Sequence, residues 1–204
     1  MNAPLPRDAA RPYALRADHP AELAALLDTP CTVAVLARPA DARIVAYLDA
    51  AAHSGALGTG FRTVMAPGER GFDAQLPDLA GRDALAADLA FLAELHADLL
   101  GCPRVGLRLE ITSQAMCPRF HTDRVGLRLL CTYRGPGTEW IDPAHPDPGA
   151  AIARNEVQRA APFDVLLLKG EAWPGNAAHG AIHRSPGVAQ GAAPRVLAAI
   201  DAVW

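Results

Sequence analysis

The spacing of apolar residues changes along the chain, and each spacing predicts a different element. Leu85, Leu89, Leu92, Leu95 and Leu99 recur at three- and four-residue steps. Such steps place all five on one face of an α-helix. Asp83 suits the N-cap of that helix, and Gly101 suits the left-handed position that ends it. The stripe predicts a long helix packed on the outside of a β-core. His96 lies beside the stripe and reads as a structural or surface histidine. Upstream, residues 20–27 read as a short helix and residues 31–37 as a strand ended by Arg38-Pro39. Asp41 is the expected N-cap of a helix through about residue 52, with His53-Ser54-Gly55 as its stop.

The second half has a strand-like pattern. Residues 125–133 are rich in β-formers and run into Arg134-Gly135-Pro136-Gly137, a turn that leads to a further short strand around Trp140. Residues 163–169 read as a buried strand closed by Gly170, and residues 195–204 as the final strand. Residues 1–18, rich in Pro, Ala and Arg, are expected to be a flexible N-terminus. Residues 19–204 are then expected to form one domain.

Composition narrows the function classes. The chain has 204 residues, 50% hydrophobic and 20% charged, which is enough to bury a sizeable core. Net charge is −3 and the single lysine is Lys169, so the concentrated positive field that nucleic-acid binding needs is absent. The first residues have no apolar signal core, and no run reaches the ~20 apolar residues of a membrane span. A soluble, cytoplasmic protein without a membrane partner is expected. Gly55-Ala-Leu-Gly-Thr-Gly60 lacks the Lys-Ser/Thr of a phosphate loop and reads as a connection. Cys31, Cys102, Cys117 and Cys131 contain no C-x-x-C pair and are expected as reduced thiols, the first two as buried hydrophobes.

Candidate chemistry starts at Phe120-His121-Thr122-Asp123. A His-x-Asp pair on an extended strand puts both side chains on one face, because strand side chains repeat with period 2. A distant histidine, His183 in Ile182-His183-Arg184, completes two imidazoles and one carboxylate. That set leaves coordination positions open and suits non-haem Fe(II). Strand, metal pair, hairpin, strand, distal His and final strand follow the order of a double-stranded β-helix. The fold class expected is therefore α+β: a jelly-roll, cupin-like core with an N-terminal helical layer. His179 competes with His183 as third ligand. Cys117 and Cys131 flank the pair, and a site of Cys117, His121 and Cys131 would favour zinc. A zinc-binding or metal-homeostasis protein and a metal-free, cupin-like small-molecule binder therefore stay open beside an iron enzyme. Arg128, inside an apolar strand, must find a partner. Trp140 and Trp173 are candidate pocket walls or core residues, and His145 in a turn-rich loop is expected to be solvated.

The runs Cys117 to Trp140, Leu168-Lys-Gly-Glu-Ala-Trp-Pro-Gly175 and Ile182-His-Arg-Ser-Pro186 resemble the bacterial family catalogued as domain of unknown function 1826. The resemblance covers about residues 20–204. More distantly, the layout resembles the 2-oxoglutarate/Fe(II) dioxygenases, in which a basic residue about one strand past the distal His binds the far carboxylate of the cosubstrate. That resemblance implies Fe(II) and 2-oxoglutarate as cofactors and O2 as co-reactant, with an unidentified small-molecule or peptide substrate. It assigns the cosubstrate carboxylate to Arg195, with a hydroxyl added by Thr132 or Tyr133. Arg128 is a second candidate for that role, and Arg184 a competitor.

Overall fold

The computed structural model describes residues 13–142, 152–153, 155–177 and 179–204. His145 and residues 1–12 lie outside the described residues. The N-terminal elements are β1 (Ala14–Ala17), a 3-10 turn (Pro20–Ala24) running into α1 (Ala25–Asp28), β2 (Val33–Leu36) and α2 (Ala42–His53). After them come β3 (Gly60–Met65), α3 (Arg82–Leu100) and β4 (Arg104–Thr112). The C-terminal half contributes β5 (Leu127–Arg134), β6 (Glu139–Ile141), β7 (Gln158–Arg159), β8 (Val165–Lys169), β9 (Ile182–Arg184) and β10 (Arg195–Val203). Seven strands form one sheet in the order β1-β2-β8-β5-β10-β4-β3, and three form a second in the order β7-β6-β9. Among the described strands of the large sheet, only β1 and β2 pair in parallel. The architecture is α+β.

Strand alternation divides the large sheet into two chemically different faces. On β5, Leu129, Cys131 and Tyr133 point to the helices, as do Val165 and Leu167 of β8 and Val196, Ala198 and Ile200 of β10. Leu130, Leu166, Leu168, Leu197 and Ala199 point the other way and pack with Trp140, Ala160 and Ala181 from the small sheet and its flanks. The helix face is closed by the predicted leucine stripe. Leu85, Leu89 and Leu92 are fully buried, and Leu95 and Leu99 are partly so. Burying one such leucine contributes about 1.5–3 kcal/mol. Among the described residues no helix is long and apolar enough to cross a membrane.

Several expectations need correction. Ala14–Ala17, expected within a flexible N-terminus over residues 1–18, instead forms β1 of the large sheet. Asp41 caps α2 as predicted, its carboxylate accepting from Arg43 N–H at 2.8 Å. Asp83 does not cap α3. The cap is Gly81 at φ 95°, where an added Cβ would meet the Arg43 carbonyl at 2.7 Å and the Tyr47 Cβ at 2.9 Å. The close approach of α2 thus selects glycine and starts the helix earlier than the acidic residue suggests. Gly101, at φ 65°, ends α3 as predicted. Strands β1, β3 and β4 lie outside the elements expected from the sequence pattern.

Candidate metal centre

The segment carrying His121 and Asp123 precedes β5 and is extended by a single antiparallel bridge rather than by a strand of its own. In that bridge His121 N–H donates to the His183 carbonyl at 3.0 Å, and His183 N–H donates back at 2.9 Å. Residues directly opposed in this way project their side chains to the same side. The two rings accordingly lie 4.5 Å apart between centroids. The Asp123 carboxylate reaches both: Oδ1 lies 3.5 Å from His121 Nε2, and Oδ2 lies 3.4 Å from His183 Nε2. One ligand atom from each residue falls within 4.8 Å of the others.

Each imidazole is oriented by its second nitrogen. His121 Nδ1 lies 3.0 Å from the Arg119 carbonyl, and His183 Nδ1 lies 3.0 Å from the Ala181 carbonyl. A carbonyl only accepts, so each Nδ1 carries a proton, and each Nε2, turned to Asp123, has a lone pair for the shared point once it gives up its own proton. This is the outer support that metal-binding histidines use. Asp123 is held by Arg128, which donates from Nη1 to Oδ2. Burial raises the Asp123 carboxyl, but hydrogen bonds from His121 and His183 and the nearby Arg128 charge outweigh it and hold the group well below the carboxylate range. The His121 imidazole is raised, first by its hydrogen bond to Asp123.

The backbone under Asp123 is fixed from below. Glu171 N–H donates to the Asp123 carbonyl at 2.8 Å, and Ala172 N–H donates to the Val125 carbonyl at 3.1 Å. The Thr122 hydroxyl donates to the Glu171 carboxylate. Gly170 makes this approach possible, since a Cβ there would lie 2.3 Å from the Val125 carbonyl and 2.6 Å from that of Asp123.

A cavity opens beside the triad, lined also by Leu130, Leu197 and Ala199 and by Arg128 and Arg195. Arg195 is 1% exposed. It donates to the Pro136 carbonyl at 2.8 Å and to the hydroxyls of Ser185, Thr132 and Thr138 at 3.1 Å each. No carboxylate pairs with it among the described residues. Burial alone pushes its pKa down to about 10.

The other anticipated residues separate by strand parity. Arg128 and Thr132 share the cavity face of β5, whereas Tyr133 turns to the helix face and donates to Asp88 Oδ2 at 2.6 Å. Tyr133 therefore cannot supply a hydroxyl to the cavity. Arg128 does find a partner, a second carboxylate besides Asp123: Asp201, at 2.7 and 2.9 Å. Arg184 lies at the cavity rim, 2.6 Å from Glu139 and over the Phe120 ring. His179 is exposed and is not in the ligand group. Cys131 is on the helix face beside Arg38 and the Phe163 carbonyl, and burial pushes its thiol up to about 12. Cys117 is exposed at the cavity edge and outside the group of converging ligand atoms. Trp140 is core and Trp173 packs on the helix side, so neither walls the cavity. Asp201, Thr138, Ser185 and Arg108 lie outside the set that sequence reasoning singles out. Asp201 was legible, because it stands an even number of strand positions from Arg195 and so shares its face.

No curated protein matches the chain. Among solved structures, the rice dioxygenase for auxin oxidation is similar at 19% identity and TM-score 0.50, covering 93% of this chain and 82% of that one. A full-length Neurospora crassa protein crystallised in complex with alpha-KG is similar at 13% identity and TM-score 0.52, covering 93% of this chain and 84% of that one. At such identities the likeness is one of fold. The sequence itself is more specific: residues 17–201 match the family described as protein of unknown function (DUF1826), and the chain belongs to that family.

Proposed function

We propose that the protein is an oxygenase that uses Fe(II), 2-oxoglutarate and O2 to oxidise a small-molecule substrate, with its two sheets arranged as a double-stranded β-helix. The observation that carries this reading is Arg195, a buried guanidinium without a carboxylate partner among the described residues, at the same cavity as His121, Asp123 and His183. A buried charge without a counter-charge is costly, and an anion entering the cavity removes that cost. 2-Oxoglutarate has the right shape for this, a 2-oxo acid at one end and a second carboxylate at the other. The Neurospora crassa relative crystallised with alpha-KG and the rice dioxygenase support the same choice.

The donor set fits the metal. Two neutral imidazoles and one carboxylate leave positions open and favour Fe(II) in O2 chemistry. When bound, iron and 2-oxoglutarate supply the oxidising power for the substrate. The chain's residues bind, orient and shield. His121 and His183 present Nε2 atoms whose tautomers are fixed by backbone carbonyls. Arg128 holds Asp123 in place. Arg195 would meet the distal carboxylate with its charge and with the one N–H that its protein hydrogen bonds leave over, on Nη1, while Thr132 and Thr138 hold Nη2 in place. Leu130, Leu197 and Ala199 give the cavity an apolar floor that excludes water.

X-ray absorption on anaerobically purified protein tests the assignment. The expected first shell contains nitrogen and oxygen only. A sulfur near ~2.3 Å would make this a thiolate zinc site and overturn the proposal.

A further inference from the structure

The cavity has a second charged end, lined by Arg108 and Glu110, that the proposed reading does not use. On the cavity face of β4, Arg108 lies directly opposite Arg62 of β3 in the sheet register. Like charges opposed across a strand pair are destabilising. Arg62 takes Glu110 at 2.8 Å. Arg108 has only Asp201, at 3.0 Å, and Asp201 is already gripped on both oxygens by Arg128. One carboxylate therefore serves two guanidinium groups, and Arg128 also supports the ligand Asp123. The remaining donors of Arg108 have no protein partner among the described residues, and its side chain is 25% exposed where it lines the cavity.

Asp201 and Arg128 link Arg108 to Asp123 as one charged row of the floor, and the row beside it is apolar. Ala199 of β10 is registered with Arg108 on one side and with Leu130 of β5 on the other. Arg108 thus stands two strand spacings, about 10 Å, from β5, whose Arg128 holds Asp123. Arg195 lies at the buried end of the same cavity and Arg108 at its open end.

We propose that Arg108 is the recognition site for an oxyanion on the substrate, a carboxylate or a phosphate. The substrate is then a compact acid whose apolar body lies over Ala199 and Leu130. The anionic group then lies across β10 from the strand whose Arg128 holds Asp123. This assignment rests on the oxygenase reading of the site, but the anion site can be tested separately.

The test is binding of inorganic phosphate, benzoate and neutral benzamide to protein saturated with Mn(II) and 2-oxoglutarate, read by calorimetry and thermal shift against a potassium chloride control of equal ionic strength. At least one of the two anions is expected to bind beyond the chloride control. That binding should weaken at least ~tenfold in Arg108→Gln, as loss of a hydrogen bond to a charged group implies. Arg108→Lys, which keeps the charge, should retain most of it and shows that the site rather than the fold was lost. Preference for phosphate or for benzoate identifies the anion class. The proposal is overturned if neither anion exceeds chloride, if benzamide binds as well as benzoate, or if Arg108→Gln binds the anion unchanged. If 2-oxoglutarate does not bind but the anion still depends on Arg108, the oxygenase reading fails and the anion site stands.

Discussion

Replacing Arg195 with methionine separates a binding charge from a structural one. Methionine keeps much of the length and the apolar stem and removes the guanidinium. Burial lowers the Arg195 pKa to about 10 from the ordinary 12.5, which corresponds to about 3 kcal/mol of unrecovered desolvation. Against this stand four hydrogen bonds to neutral acceptors, each contributing about 1 kcal/mol. The two effects nearly cancel, so Arg195→Met should change the stability of the ligand-free protein by less than about 2 kcal/mol. 2-Oxoglutarate binding should respond very differently. Leaving a buried carboxylate without its charged partner costs about 3–5 kcal/mol, or at least ~100-fold in Kd. Urea denaturation measures the first quantity, and anaerobic calorimetry with Mn(II)-loaded protein measures the second. A Kd within threefold of the unsubstituted protein would refute the carboxylate role. A stability loss above about 4 kcal/mol would show that the four hydrogen bonds, not ligand binding, explain the residue.

Three further outcomes follow from the packing. Gly170→Ala should weaken metal binding at least ~tenfold while the protein stays folded, because the new Cβ displaces the backbone under Asp123; equal affinity in a metal titration would contradict the tight approach. Tyr133→Phe should leave 2-oxoglutarate affinity unchanged and cost about 1–3 kcal/mol in urea denaturation, since its hydroxyl serves Asp88 on the other face of the sheet. His96 is fully buried with no partner on either ring nitrogen among the described residues, and burial pushes its pKa down to about 4 from the ordinary 6.5. The unfolded chain therefore takes up this proton first, and stability falls as pH drops from about 6.5 towards 4. Between pH 7 and pH 5 the His96 share is about 2 kcal/mol. His96→Leu should lose that part of the pH dependence, and an unchanged slope would show that the ring is not buried neutral.

Local chemistry made the helices and the convergence of His121, Asp123 and His183 legible. Asp41 and the leucine stripe act within one turn, and His121, Asp123 and His183 are residue types with few other reasons to lie in such a pattern. Strand parity carries further information. Thr132 and Tyr133 are adjacent on one strand, so only one could face the cavity, and the register shared with Arg128 selects Thr132. The alternation of Val105, Leu107 and Leu109 with Gly106, Arg108 and Glu110 likewise marks β4. Other features are tertiary and have no sequence signal. Gly81 replaces Asp83 as cap because α2 passes close by. Arg195 is unpaired because no carboxylate among the described residues is brought near it, and pairing of that kind depends on the whole fold.

In the proposed site His121, Asp123 and His183 would hold an iron that 2-oxoglutarate chelates, with Arg195 at its far carboxylate. Anaerobic titration of the apoprotein with Fe(II) and 2-oxoglutarate tests this arrangement most directly, through the visible charge-transfer absorption of a 2-oxo acid bound to ferrous iron. The expected band saturates at one equivalent of each, is absent in His183→Ala, and needs far more 2-oxoglutarate in Arg195→Met. No band in the unsubstituted protein, or a full band in His183→Ala, would contradict it.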